Sequence, residues 1–382
     1  MKKDILFIPY TYSMGGGSER VLREILEHID VSKYNIDIKE LARYNTGNEP
    51  YIQRSGIKWL NPLWIYDSRI KKFINMIGQH LITILPHLFW LKLPQKRYDF
   101  VIAFNYQIPS FACSICNGRK KITWIHSSVE DLNYTQFHGL TRIVRMIKYH
   151  AQRRALKRMD YIVAISDMTR DSIEKLFPEI SFKILTIRNG SNLKLIRDKS
   201  KEVNVSKQHT FRLISCGRLD KNKNVSFLIN LMAELVKHID IELLVLGDGV
   251  ERNNLETQTQ ELGLTDNITF IGYQQNPYPY IASSDLLCLS SYIEGSPVVV
   301  AESLALGVPF ISAKVGGIKE FSNNNQAGII CNRTITDYQE QIMSILYDKE
   351  KYEDMKNAGT QLIRKYDILC QIKKIENLLD AN

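Results

Sequence analysis

Cysteine is scarce in this 382-residue chain: there are six, and only Cys113 and Cys116 fall close together. Such scatter excludes a disulfide framework, and a zinc site would need a second Cys or His pair at metal spacing, which the chain does not offer. No Asp-x-Asp occurs anywhere, so one common way of holding a diphosphate through a metal is missing. GxxxxGK[ST] is absent, which removes P-loop phosphoryl transfer. The glycine cluster Gly15-Gly16-Gly17 is followed three residues later by Arg20 rather than glycine, which disfavours a hydride-transferring dinucleotide enzyme. Repeats and low-complexity tracts are lacking as well. The most apolar segment, FINMIGQHLITILPHLFWLKL (Phe73 to Leu93), is interrupted by Pro86 and by polar positions, and suits a helix lying in a membrane interface better than one spanning it. The amino terminus, MKKDILFIPY, has too short an apolar core for a signal peptide and reads as the first buried strand of a cytoplasmic protein.

What is present is the composition of a soluble protein, 44% hydrophobic and 24% charged, at a length that exceeds one ordinary core. Two domains are the expectation. The net charge of +9 is unevenly spread: residues 1–190 carry 29 basic against 17 acidic side chains, and residues 191–382 carry 21 against 24. Much of the excess sits in Arg69 to Phe73, in Lys92 to Arg97, and in the stretch from Thr141 that meets seven basic residues before its first acid, Asp160. Ile143, Val144, Met146, Ile147, Leu156 and Met159 leave room there for an apolar face beneath a basic one. A solvated helix face or a nucleic-acid contact would leave the same pattern, but the neighbouring broken apolar segment favours an anionic membrane surface over nucleic acid.

Short β-branched runs recur between helical patterns: ILFIPY, FVIAF, KITWIH, YIVAIS and ILTIRNG, then RLISCG, ELLVLGDG, ITFIGY, DLLCLSS, PFISAK and GIICN. This is the pattern of parallel sheets covered on both faces, an α/β fold with two doubly wound, Rossmann-like halves. The rhythm pauses at Asn189 and Gly190, where the polar stretch NLKLIRDKSKEVNVSKQHT reads as a linker. The expected domains are therefore 1–189 and 190–365, with a last helix over 366–382. Ligands of such sheets bind beyond the carboxyl ends of the strands, so the residues that follow the strands are the candidates: Gly15 to Gly17, His126, Arg218 and Glu294.

Arg218 and Lys223, in GRLDKNKN, suit a diphosphate, one by its fork geometry and one as a point charge, although solvated loop residues would look the same. In SYIEGSPVVVAESLALGVP, Pro297 suits the first turn of a helix that stops at Gly307. The N–H groups near Gly295, Ser296, Pro297 and Val298 would then face an anion. Glu294 stands before this helix, and Glu302 lies about one and a half turns inside it, placed to project rather than to be buried. An anion cradle with a carboxylate on each side outlines a nucleotide-sugar site.

Taken together, the GGG-S-E-R loop, WIHSS, GRLDKNKN, LGDG, the two glutamates spaced as E-x7-E and KVGGIKEF resemble the GT4 family of retaining glycosyltransferases with the GT-B fold, of the bacterial surface-polysaccharide type, over nearly the whole chain. That resemblance implies two domains facing across a cleft, with YDILCQIKKIENLL as a helix crossing back to the first. It implies that Arg218 and Lys223 hold the donor diphosphate, that Glu302 binds the ribose and that Glu294 binds a hydroxyl of the transferred sugar. Gly295, Ser296, Pro297 and Val298 would lie beside the sugar and phosphates, and Gly16 and Gly17 would approach the phosphates from the first domain. His126 matches the family's histidine near the reacting centre, though a histidine packed beside Trp124 is an equally ordinary reading. The implied activity is a retaining hexosyl transfer from a nucleoside-diphosphate sugar, UDP favoured, to a lipid-linked or oligosaccharide acceptor on the cytoplasmic face of the cell membrane. Neither a cofactor nor a metal is expected. A catalytically inactive, membrane-attached relative, a sugar-nucleotide epimerase and a phosphorylase are the alternatives; the phosphorylase lacks an identifiable cofactor-bearing lysine.

Overall fold

The computed structural model describes residues 2–14, 17–44, 51–67 and 69–380, with no side-chain description for 69–74 and 76. Gly15 and Gly16, and the side chains of the basic run from Arg69 to Phe73, therefore lie outside the described residues.

The chain forms two compact units, Met1–Gly190 with Ile368–Asn382, and Ser191–Asp367. The first contains β1 (Lys3–Pro9), β2 (Tyr34–Ile38), β3 (Ala42–Tyr44), β4 (Ile57–Trp59), β5 (Trp64–Tyr66), β6 (Tyr98–Phe104), β7 (Gly118–Ile125), β8 (Tyr161–Ala164) and β9 (Ile184–Thr186). Seven of these make a parallel sheet in the order β4-β2-β1-β6-β7-β8-β9, while β3 and β5 pair separately. The second unit contains β10 (Phe211–Cys216), β11 (Ile241–Leu246), β12 (Ile268–Gly272), β13 (Leu286–Leu289), β14 (Phe310–Ala313) and β15 (Gly328–Cys331). Their order, β12-β11-β10-β13-β14-β15, reverses direction between β10 and β13. The crevice outside the carboxyl ends of these two strands is where a doubly wound sheet receives ligands.

Strand alternation builds both cores. In β1, Ile5 and Phe7 face one layer with Val21, Leu22, Ile25, Ile372 and Ile375. Leu6 and Ile8 face the other, with Phe111, Leu156 and Ile173. Continuous apolar runs are required because both faces of a parallel sheet are covered; each fully buried Ile or Leu contributes about 1.5–3 kcal/mol relative to exposure. In the second unit Leu213, Val245 and Cys288 face one layer. Ile214, Leu246 and Leu289 face the other, against Val300, Ala301 and Leu304 of the helix Val298–Ala305.

Two expectations change, while the segment from Phe73 is broken at Pro86 as expected. The stretch read as a linker contains a helix, Leu193–Lys199, whose Leu193 and Ile196 are buried. The segment from Phe73 is a helix, Arg69–Ile84, followed by a 3-10 turn over Pro86–Lys92; among the described residues no helix is long and apolar enough to cross a membrane. The basic helix, Gly139–Lys157, buries Ala151, Gln152, Ala155 and Leu156. Ile143, Val144, Met146 and Ile147, expected beneath it, point outward instead, because only the second half of the helix packs on the core.

Candidate active site

At the switch point, β10 ends in Cys216-Gly217 and β13 runs into Ser290-Ser291. Their loops, with Arg218 and Lys223, line a small pocket. The loop after β10 is held to the loop after β11 by Gly217 N–H donating to Leu246 O (2.9 Å) and Leu219 N–H donating to Asp248 O (2.9 Å). Gly247 has φ +129°, and a Cβ there would fall 1.8 Å from the Gly217 carbonyl oxygen, so only glycine allows this contact.

Lys223 Nζ donates to Glu294 Oε1 at 2.6 Å, so residues 71 positions apart meet as a half-buried ion pair. Arg218 is far more open, with a 78% exposed side chain whose Nε lies 3.2 Å from Asp220 Oδ2. Asn222 holds the approach to Glu294: its Oδ1 accepts from Ile293 N–H (3.1 Å), its Nδ2 donates to Ile293 O (3.0 Å), and its carbonyl accepts from Tyr292 N–H (2.8 Å). From the other side Arg333 donates to Ser291 O (2.7 Å) and Ser290 O (3.2 Å) and lies over the Tyr292 ring. Sequence reasoning missed Asn222 and Arg333, since both act on backbone; the one available signal was that Asn222 sits inside the GRLDKNKN run and Arg333 just past a strand end.

Pro297 caps the helix Val298–Ala305 with φ −70° and ψ 104°, rather than lying in its first turn. The first bond at this end runs from Val300 N–H to Pro297 O, 3.1 Å, so the Val298 and Val299 N–H groups belong to the orphan donors of a helix start. Gly317, with φ +68°, presses on the same turn, since a Cβ there would meet Gly295 O at 2.7 Å and Ser296 Cα at 3.0 Å. Glu302, expected to project, is instead 3% exposed. It accepts from Tyr278 OH at 3.3 Å. Its charge adds to burial in pushing the Cys216 thiol up. Glu302 is buried because every residue from Val300 to Ala305 is buried, so this helix is enclosed on all sides.

In the first unit, Gly17 opens the helix Gly17–His28, and a Cβ on it would meet no atom within 4 Å. His126 follows β7, with its ring centroid 4.5 Å from that of Phe104. Its Nε2 is enclosed and finds no partner among the described residues. Burial pushes its pKa down to about 3. The ring is thus neutral near pH 7. Cys113 and Cys116 are buried in and just after the helix Ile108–Ile115, and burial pushes the Cys116 thiol up to about 12. They are packing residues.

The fold defines an α/β protein with a doubly wound parallel sheet in each unit, and comparison narrows the class. The model for glycosyl transferases group 1 matches residues 196–362, and that for Glycosyltransferase Family 4 matches 15–195. The chain belongs to these family 4-type glycosyltransferases, and its fold is GT-B. It is 25% identical to an uncharacterized glycosyltransferase of Haemophilus influenzae over 385 residues, covering 99% of this chain and 100% of that one. With the Campylobacter jejuni N-acetylgalactosamine-N,N'-diacetylbacillosaminyl-diphospho-undecaprenol 4-alpha-N-acetylgalactosaminyltransferase it shares 33% identity over 119 residues, 31% of this chain and 32% of that protein. Among solved structures, Anabaena HepE in complex with UDP superimposes with a TM-score of 0.72 at 16% identity, covering 100% of both chains.

Proposed function

We propose that this glycosyltransferase moves a sugar, with retention, from a nucleoside-diphosphate sugar, UDP favoured, to a lipid-linked or growing glycan acceptor in surface-polysaccharide synthesis. The observation that carries the reading is the Lys223–Glu294 pair at the switch point, a few residues before the start of Val298–Ala305: a cation for the diphosphate, a carboxylate for the sugar, and orphan N–H groups at the helix start that follows. Arg218 is open enough to swing onto a phosphate. Glu302, already desolvated, would bind a ribose hydroxyl more strongly than a carboxylate drawn from water. Gly17, with no atom near its missing Cβ, would let phosphates approach the backbone. The undecaprenol-linked substrate in the name of the Campylobacter relative and the UDP bound to HepE support the acceptor and donor classes.

Retention would proceed by front-side attack. The bond between the anomeric carbon and the diphosphate oxygen breaks, the acceptor oxygen bonds the same face of that carbon, and its proton passes to the departing phosphate oxygen. Arg218, Lys223 and the helix N-terminus would stabilise the leaving charge without a metal. His126, being neutral, would serve as a hydrogen-bonding and packing group near the sugar rather than as an acid.

Residence on the inner face of the cell membrane is part of the proposal. The helices Arg69–Ile84 and Gly139–Lys157 pack together; Leu88, Trp90 and Leu91, just past the first, are exposed, as are Leu140, Ile143, Arg142 and Lys148 on the second. The test of the reaction is nucleoside-diphosphate release in the presence of a lipid-glycan acceptor, with chelator added. Glu302→Ala and Arg218→Ala should remain folded and lose at least tenfold in turnover; full activity in both would overturn the site assignment.

A further inference from the structure

Glu40, just past β2, is fully buried, and among the described residues every hydrogen bond on its carboxylate comes from a donor. Its Oε1 accepts from Tyr12 N–H (2.7 Å), Ser13 N–H (3.0 Å), Ser13 Oγ (3.0 Å) and Thr11 Oγ1 (3.4 Å). Its Oε2 accepts from Tyr51 OH (2.8 Å) and Arg43 Nε (3.2 Å). Backbone pairing continues the grip: Leu41 N–H donates to Pro9 O (3.1 Å), and Ala42 N–H to Tyr10 O (2.7 Å). Two consecutive amides turned onto one carboxylate oxygen fix the path of the chain as it leaves β1. That path starts at the switch point of the first sheet, where the strand order turns back between β1 and β6. A buried carboxylate is costly unless fully partnered, and an apolar side chain would have filled the same space without fixing two amides.

We infer that Glu40 is a positioning residue for sugar transfer: it sets the path of Thr11–Ser13 at the carboxyl end of β1, in the crevice of the first sheet, where the acceptor is received. This rests on the transferase reading above. Glu40 touches no substrate; it acts through Tyr12 and Ser13.

The test combines native-state amide exchange with kinetics on the full-length chain. In Glu40→Ala the Tyr12 and Ser13 amides should exchange at least a hundredfold faster, and turnover should fall at least tenfold, while the Kd for UDP stays within twofold. Glu40→Gln keeps an acceptor for the two amides, and should restore their protection and most of the turnover. Unchanged amide exchange in Glu40→Ala, or freed amides with full turnover, would overturn the inference. Should Glu40→Ala fail to fold, the milder Thr11→Val with Ser13→Ala double variant should lower turnover two- to fivefold and speed exchange of both amides, and no change in either would refute it. A wild-type protein that binds no UDP and releases none defeats the transferase reading on its own, and the exchange data still decide whether Glu40 holds the loop.

Discussion

Replacing His126 by glutamine should flatten the acid side of the stability curve. Burial holds the imidazole near a pKa of 3, against 6.5 when exposed, so the unfolded chain takes up a proton at mildly acidic pH that the folded chain refuses. A depressed histidine therefore leaves stability intact above about pH 6.5 and withdraws it as pH falls toward 3. Between pH 7.5 and 5.0 the unfolded state gains about 2 kcal/mol from this single proton. All four tryptophans, Trp59, Trp64, Trp90 and Trp124, lie in the first unit, so urea unfolding followed by tryptophan fluorescence reads the unit that contains His126. The wild-type protein should lose about 2 kcal/mol more than His126→Gln over that interval, since the other groups titrate alike in both. Parallel curves would show that His126 is protonated in the folded state, and would reopen a proton-transfer role for it.

The thiols give a second test. Native protein treated with iodoacetamide should be alkylated at exposed Cys370 alone. Cys113, Cys116, Cys288 and Cys331 are buried, and burial holds their thiols and that of half-buried Cys216 high. More than one adduct on the folded chain, by intact mass, would contradict this packing. For the membrane surface, sedimentation with phosphatidylglycerol-rich vesicles should fall at least tenfold in the double variant Ile143→Glu, Ile147→Glu. Charge reversal at Arg154 and Lys157 should weaken binding in a salt-dependent way, with less effect from Arg153, which Glu179 engages. Unchanged sedimentation in both would remove the docking surface.

Strands buried on both faces were legible because a continuous apolar run leaves little else for the chain to do. β2 was not, because YNIDI alternates buried and exposed positions at its end of the sheet, and β3 to β5 are only three residues each. Glu40 was missed with them, since a carboxylate after an unread strand carries no signal. Arg218, Lys223 and Glu294 were visible as residues following strands, yet the meeting of Lys223 with Glu294 depends on β10 lying beside β13, a long-range pairing that local pattern does not encode. The outward turn of Ile143 and Ile147 was hidden for a related reason: periodicity shows that a helix has an apolar face, and only tertiary packing decides whether that face is covered.

The pairing of Lys223 with Glu294 bears on how a complete donor would be told from its parts. At 2.6 Å the two charges neutralise one another, so the pair by itself draws a diphosphate weakly, and the first attraction falls to Arg218 and the helix N-terminus. On the proposed reading, a nucleotide sugar exchanges both sides of the pair together: phosphate replaces Glu294 on Lys223, and a sugar hydroxyl replaces Lys223 on Glu294. A free sugar offers nothing to Lys223. A nucleoside diphosphate alone satisfies Lys223 but leaves a half-buried carboxylate without its partner, which is costly. Once the sugar has left, re-forming the ion pair favours release of the nucleoside diphosphate, so one contact both selects the whole donor and helps to expel its spent half.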